Sequence, residues 1–220
     1  VSRVVVFGGG GQGRQTIDVL GTGGVHVVVA VVDPSLATGS RVAGHPVVDP
    51  ADLAALGADG FVVAVGDNAG RAFLADRVRV EHPALELVAA VHAAAVVARD
   101  AVVGAGATLM AGVVVANGCT VGEGALLGTN ASLDHDGVLG PWASLAPGVA
   151  TGGDVTIGAF SAIGVGAALI HGVTVGPHSV VGAGAVVLRD VPDHVVAHGV
   201  PAAVVRTRTE GEPYLHRAGD

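Results

Sequence analysis

His135 stands between Asp134 and Asp136 in a stretch whose neighbours are otherwise mostly aliphatic or glycine. A carboxylate that accepts from one imidazole nitrogen fixes the tautomer and makes the other nitrogen a better base. Such a base suits removal of a proton from an amine or a hydroxyl, and either aspartate could be the orienting acid. A second cluster, Gly8-Gly9-Gly10-Gly11-Gln12-Gly13, follows a short apolar run. Glycines there let backbone amides and a helix N-terminus approach an anionic group, phosphate above all. Asp33 closes the next apolar run, where a carboxylate commonly accepts hydrogen bonds from a ribose hydroxyl.

The elements that would position the glycine turn read as a βαβ unit: a strand over 3–8, a helix over 14–20, and a strand over 25–32 ending in Asp33. A third strand over 60–65 runs into Gly66-Asp67-Asn68, a helix follows from Ala69 to about Val80, and the pattern changes near His82-Pro83. Fewer than about 90 residues precede the change. That is half of a dinucleotide fold, so a mononucleotide-sized ligand fits better than the nicotinamide cofactor of a dehydrogenase.

The rest of the chain positions His135 by a different device. Stepping by six from Val103 to Val187, every residue is aliphatic except Thr151. Glycine often comes next, as at Gly104, Gly122 and Gly140, which suits a corner needing unusual backbone angles. A small or β-branched residue comes four places after each anchor, as at Ala107, Cys119 and Ala143. Helices and ordinary strands have periods near 3.6 and 2, so a long six-residue period marks a repeat fold. His135 is two places after the anchor Leu133, so its side chain projects outward, whereas Cys119 belongs to core packing. Thirty-six glycines and 3% aromatic residues agree with thin repeated strands.

The six-residue period resembles the left-handed parallel β-helix of hexapeptide-repeat proteins over roughly residues 90–192. His171 repeats the position of His135 two coils later, roughly 9 to 10 Å away at sheet spacing. Hexapeptide-repeat carbonic anhydrases hold zinc with histidines so arranged, and that metal site, or a scaffold without chemistry, is the rival to a proton-transfer role. Their pattern needs a further histidine where this chain has Gly176, and His178, His194 and His198 read as surface or loop residues, so no metal is expected. A net charge of −8 with 11 Lys and Arg argues against nucleic acid. The uncharged run over 155–188 is broken by glycines and Pro177, unlike a membrane span. The chain opens directly on strand-like Val4–Phe7 without signal-peptide character, so a cytoplasmic location is expected.

With both halves in place the chain resembles the sugar O-/N-acyltransferases of the sialic-acid O-acetyltransferase and bacillosamine N-acetyltransferase type. The likeness runs to about Val205 and rests on 6–13, Val32-Asp33, Val65-Gly66-Asp67-Asn68 with Arg71, Asp134-His135-Asp136, 145–148 and Gly199-Val200-Pro201-Ala202. It implies a Rossmann-like nucleotide-sugar-binding domain (1–85), a left-handed β-helix acyltransferase domain (86–205), and a homotrimer with acetyl-CoA held between adjacent chains. It further implies His135 as general base, oriented by Asp134 or Asp136. Gly8, Gln12, Gly13, Asp33, Gly66 and Asn68 would face the nucleotide-sugar, and Ser144, Gly153, Val165 and Ala183 the acetyl-CoA. Three positions depart from the family pattern: Gln12 and Ser144 stand where histidines are frequent, and Gly128 where an asparagine is common. The polar segment 206–220 continues neither pattern and reads as a mobile tail.

Overall fold

The computed structural model describes residues 1–215. Strand β1 (Ser2–Phe7), helix α1 (Gly11–Gly23) and strand β2 (His26–Val32) form the expected βαβ unit. A hairpin of β3 (Arg41–Val42) and β4 (His45–Pro46) precedes β5 (Gly60–Val63), α2 (Asn68–Glu81) and β6 (Glu86–Leu87). The sheet is parallel throughout, in the order β2-β1-β5-β6. Val4, Val5 and Val6 are fully buried, so β1 is covered on both faces, which explains its unbroken apolar run. Helix α1 starts at Gly11 rather than Arg14, and Gly24 ends it in the left-handed conformation.

From Ala90 onward the chain winds as a left-handed parallel β-solenoid built mainly of two-residue strands, in faces of eight, six and five, the eight counting the longer Val195–His198 and the antiparallel Ala203–Thr207 at its end. Each coil advances 18 residues: Leu109 pairs with Val91 on one side and with Leu127 on the other. The six-step anchors point into the prism, and Leu127, Leu133, Leu139 and Leu145 are wholly buried. Each such side chain stabilises the fold by about 1.5–3 kcal/mol relative to exposure.

The glycines after the anchors serve another purpose than the expected one. None of Gly104, Gly122 or Gly140 has a positive φ. A Cβ on Gly104 would lie 2.7 Å from the Glu123 nitrogen in the next coil, so these residues are glycine because coils stack too closely there for a side chain. The left-handed backbone falls two places later, at Gly106, Asn130, Asp136, Trp142, Phe160 and His178 among others.

The segment beyond residue 205 also differs from expectation. Ala203–Thr207 pairs antiparallel with Val195–His198. Arg208 is buried, its backbone N–H donating to the His194 carbonyl and its guanidinium to those of His178 and Glu212. Tyr214 reaches the junction of the two halves. Residues 206–215 are therefore a packed strap; 216–220 lie outside the described residues.

Candidate active site

The glycine turn is shaped partly by packing and partly for access. Gly8 has φ +113° and a Cβ there would meet the Ala64 carbonyl oxygen at 2.7 Å, while one on Gly13 would overlap the Gly8 carbonyl. Gly10 and Gly11 face open space, and no side chain caps α1 at Gly10. The first amides of the helix, at Gly11, Gln12 and Gly13, thus have no side-chain cap, the arrangement in which a helix N-terminus can receive an anion. Asp33 braces the turn from behind: its carboxylate accepts from the Gly9 N–H at 2.7 Å and from the Ser35 N–H and hydroxyl at 2.9 and 2.6 Å. Partial burial acts to raise its pKa, but the bonds from Ser35 and Gly9 outweigh it and leave the carboxyl below its ordinary value.

His135 lies at the corner after the strand Ser132–Leu133, where the expected outward projection holds: its side chain is 62% exposed. Its Nδ1 donates to Asp136 Oδ2 at 2.9 Å, leaving Nε2 with a free lone pair. Asp136 is the aspartate that touches the ring; Asp134 instead accepts from the His135 backbone N–H at 2.8 Å. The hydrogen bond from Asp136 raises the imidazole pKa above histidine's ordinary value. Gly153 lies against the ring, and a Cβ there would overlap Nε2, Cε1 and Cδ2.

Thr151, the one anchor that breaks the aliphatic rule, belongs to the same corner. Neighbouring coils bond the residue after the anchor to the next coil's anchor carbonyl, as Ala116 does to Leu133. At Asp134 the N–H goes instead to the Thr151 hydroxyl at 3.0 Å, and the strand pairing shrinks to Ser132 with Ala150. The irregularity in the repeat thus sits beneath Asp134, His135 and Asp136.

At another corner the two halves of the chain are tied together. Arg71 on α2 is 2% exposed and donates to the carbonyls of Val65, Gly66, Gly124 and Trp142 and to Asn68 Oδ1, at 2.8–3.2 Å. Burial lowers its pKa to about 10, which still leaves it charged at neutral pH. The Asn68 amide donates to the carbonyls of Phe160 and Ser161, so this buried side chain is engaged in the junction. Trp142 covers Gly124, Phe160 stacks on His178 and His178 on His194, both at 5.0 Å between ring centres. Glu210 of the strap reaches Nε2 of His178 and of His194 at 3.7 and 3.5 Å. These are the His and carboxylate groups, among the described residues, close enough to share an ion, and neither His135 nor His171 belongs to them.

Beside that junction a groove of about 410 Å³ runs along the eight-strand face. It brings together Gln12 and Gly66 from the first half and Ser144, Val165 and Ala183 from the solenoid. His135 and Gly153 lie at a different corner and do not line it. Tyr214, which periodicity could not have marked, does line it. Arg71 appeared in the sequence only as part of a motif, and its buried fork of hydrogen bonds had no signal of its own.

No protein-family model and no curated protein matches the chain; solved structures do. GDP-perosamine N-acetyltransferase from Caulobacter crescentus, a variant with one histidine replaced by alanine in complex with CoA and GDP-perosamine, is 39% identical with a TM-score of 0.86, over 94% of this chain and 98% of that one. The acetyltransferase domain of PglB from Neisseria gonorrhoeae, in complex with acetyl coenzyme A, is 30% identical with a TM-score of 0.84, over 93% and 99%. WeeI from Acinetobacter baumannii, 22% identical with a TM-score of 0.78 over 93% and 100%, shares the fold. Identity of this extent over both halves of the chain places it in the hexapeptide-repeat family of acetyl-CoA-dependent sugar acetyltransferases.

Proposed function

We propose that the protein transfers the acetyl group of acetyl-CoA to the amino group of a nucleotide-linked amino sugar, with His135 as general base. The observation that carries this reading is the 39% identity to an enzyme described as an N-acetyltransferase and bound to CoA and GDP-perosamine. The nucleotide phosphates lie on the open amides of Gly11, Gln12 and Gly13, with Gly8 and Asp33 shaping the turn and Gln12 and Gly66 facing the sugar. Asn68 acts through the junction it holds. Ser144, Val165 and Ala183 contact the acyl-CoA, and Gly153 leaves room beside His135. The neutral Nε2 of His135 takes a proton from the acceptor amine as its nitrogen attacks the thioester carbonyl carbon; the carbon–sulfur bond breaks and the thiolate leaves, to be protonated. Asp136 holds the tautomer and stabilises the imidazolium that forms.

A homotrimer belongs to the same reading. One protomer leaves His135 exposed at one corner and the groove at another, which supports a site completed by a neighbouring copy. Exposed Val114, Val138, Ile170 and Leu188 flank the His135 corner and suit lateral packing. Among the described residues no helix is long and apolar enough to cross a membrane; a cytoplasmic enzyme is part of the same proposal. The test is thiol release from acetyl-CoA with a panel of nucleotide-linked amino sugars and their hydroxyl counterparts, on material whose mass is measured by light scattering. Turnover that requires the amine, by a species of trimer mass, is expected. Equal rates with the hydroxyl sugars, or none with any sugar, would sink the reading.

A further inference from the structure

The strap 206–215 ends inside the groove, and the chain's one tyrosine is what it delivers there. We propose that Tyr214 is a specificity-determining residue which closes the groove at Ser144, so that an acetyl group is admitted and a longer acyl chain is refused. The proposal rests on reading the groove as the acyl-CoA site.

The Tyr214 hydroxyl touches both halves of the molecule. It donates toward the Gly66 carbonyl at 3.1 Å and Asn68 Oδ1 at 2.9 Å. With its single proton so directed, the contact to Ser144 Oγ at 3.2 Å has the serine as donor. Ser144 thereby points its hydroxyl at the strap, and the phenol stands as a wall beside it. The wall is held firmly. Arg208 is buried under His178 and His194, and Glu212 pairs with Arg206 at 2.6 Å and accepts from the Thr209 N–H at 3.1 Å. Swinging the ring aside would break its own three contacts, and lifting the strap would break the others as well. Leu215 extends the closure, its Cδ1 resting where a Cβ on Gly66 would be 3.1 Å away.

What remains of the groove is lined by the outward-facing Leu126, Ala146, Val165 and Val180, a surface that would welcome an aliphatic chain if one could enter. Size exclusion therefore has to come from a wall, and Tyr214 is the group that closes the side toward Gly66. Rejection of an extra methylene by an apolar pocket is typically worth about 10–200-fold. Calorimetry of acetyl-CoA and butyryl-CoA binding to the whole protein reads this directly. Wild type should prefer acetyl-CoA by at least about tenfold, Tyr214→Ala should bring the two within about threefold, and Tyr214→Phe, which keeps the ring, should retain the preference. Melting temperatures of both variants show whether they fold.

A wild type that binds both thioesters equally, or a folded Tyr214→Ala with the wild-type preference, overturns the proposal. A wild type that binds neither overturns it together with the groove reading. Binding with the expected preference but without turnover on any amino sugar would remove the acetyltransferase reading and leave this one standing.

Discussion

Two corners of the same prism use the same repeat to opposite ends. At one, Asn117, His135, Gly153 and His171 occupy successive coils, and within the protomer His135 projects into solvent. At the other, Trp142, Phe160, His178 and His194 form a column of rings covered by Arg71, Asn68 and the strap. The offset in sequence is a single residue. The second place after an anchor throws its side chain outward; the third, with its left-handed backbone, lays it along the corner onto the coil below. Histidine at the second place stands exposed, as His135 does, and histidine at the third is a packing element, as His178 and His194 are. The contrast is between a closed corner and an open one, and the proposed base sits on the open one.

Three substitutions test that contrast. His135→Ala should lower kcat by about 10²–10⁴-fold, with acetyl-CoA affinity and melting temperature little changed because the ring is exposed. A large loss of stability, or near-normal turnover, would break the assignment of the open corner. Arg71→Ala should do the reverse: it strips buried carbonyls of their donor and opens a cavity, and about 3 kcal/mol of unfolding free energy should be lost in urea titration. Lysine should not restore it, lacking the planar fork that serves several acceptors at once. A variant as stable as wild type would mean that the junction does not depend on Arg71.

The smallest effect expected is that of Asp136→Asn. A carboxylate on Nδ1 raises the pKa of His135, and only the neutral ring can act as base, so activity falls as pH drops through that raised value. Removing the charge lowers the pKa, and the acid limb of the kcat profile should move to lower pH, with less than about a tenfold change on the plateau. An unmoved limb would show that Asp136 does not tune the base.

Much of this was legible in the residues. The anchor register marked the buried column, and its outward neighbour marked His135 with its two aspartates. The six-residue pattern could not say why glycine follows the anchors, because close stacking and an unusual φ both select glycine; Trp142 and Phe160 in left-handed positions show that the strained backbone lies elsewhere and tolerates rings that stack. Nor could it find the clasp of Asn68, Arg71 and Tyr214, whose members come from distant segments and meet only when the solenoid is wound. The strap looked like a tail because an irregular segment has no period to read. Thr151 stands out in the sequence only as the one break in the anchors; that its hydroxyl takes the Asp134 N–H is visible only in the structure.

The eight-strand face of the prism is also stoppered at both ends. Helix α1 closes on the first coil at Gly23, and Leu87 packs against Gly106. At the far end the final coil is shortened, Val175 bridging Val191 and Val181 pairing with Ala197, before the chain reverses into an antiparallel strand that no parallel coil can continue. The Arg206–Glu212 ion pair lies beside that last edge. A bare solenoid end is a template on which another could stack, coil upon coil, into a filament. Here the eight-strand face is covered at both ends within the chain, by α1 at one and by the antiparallel Ala203–Thr207 at the other, so that face offers no such template.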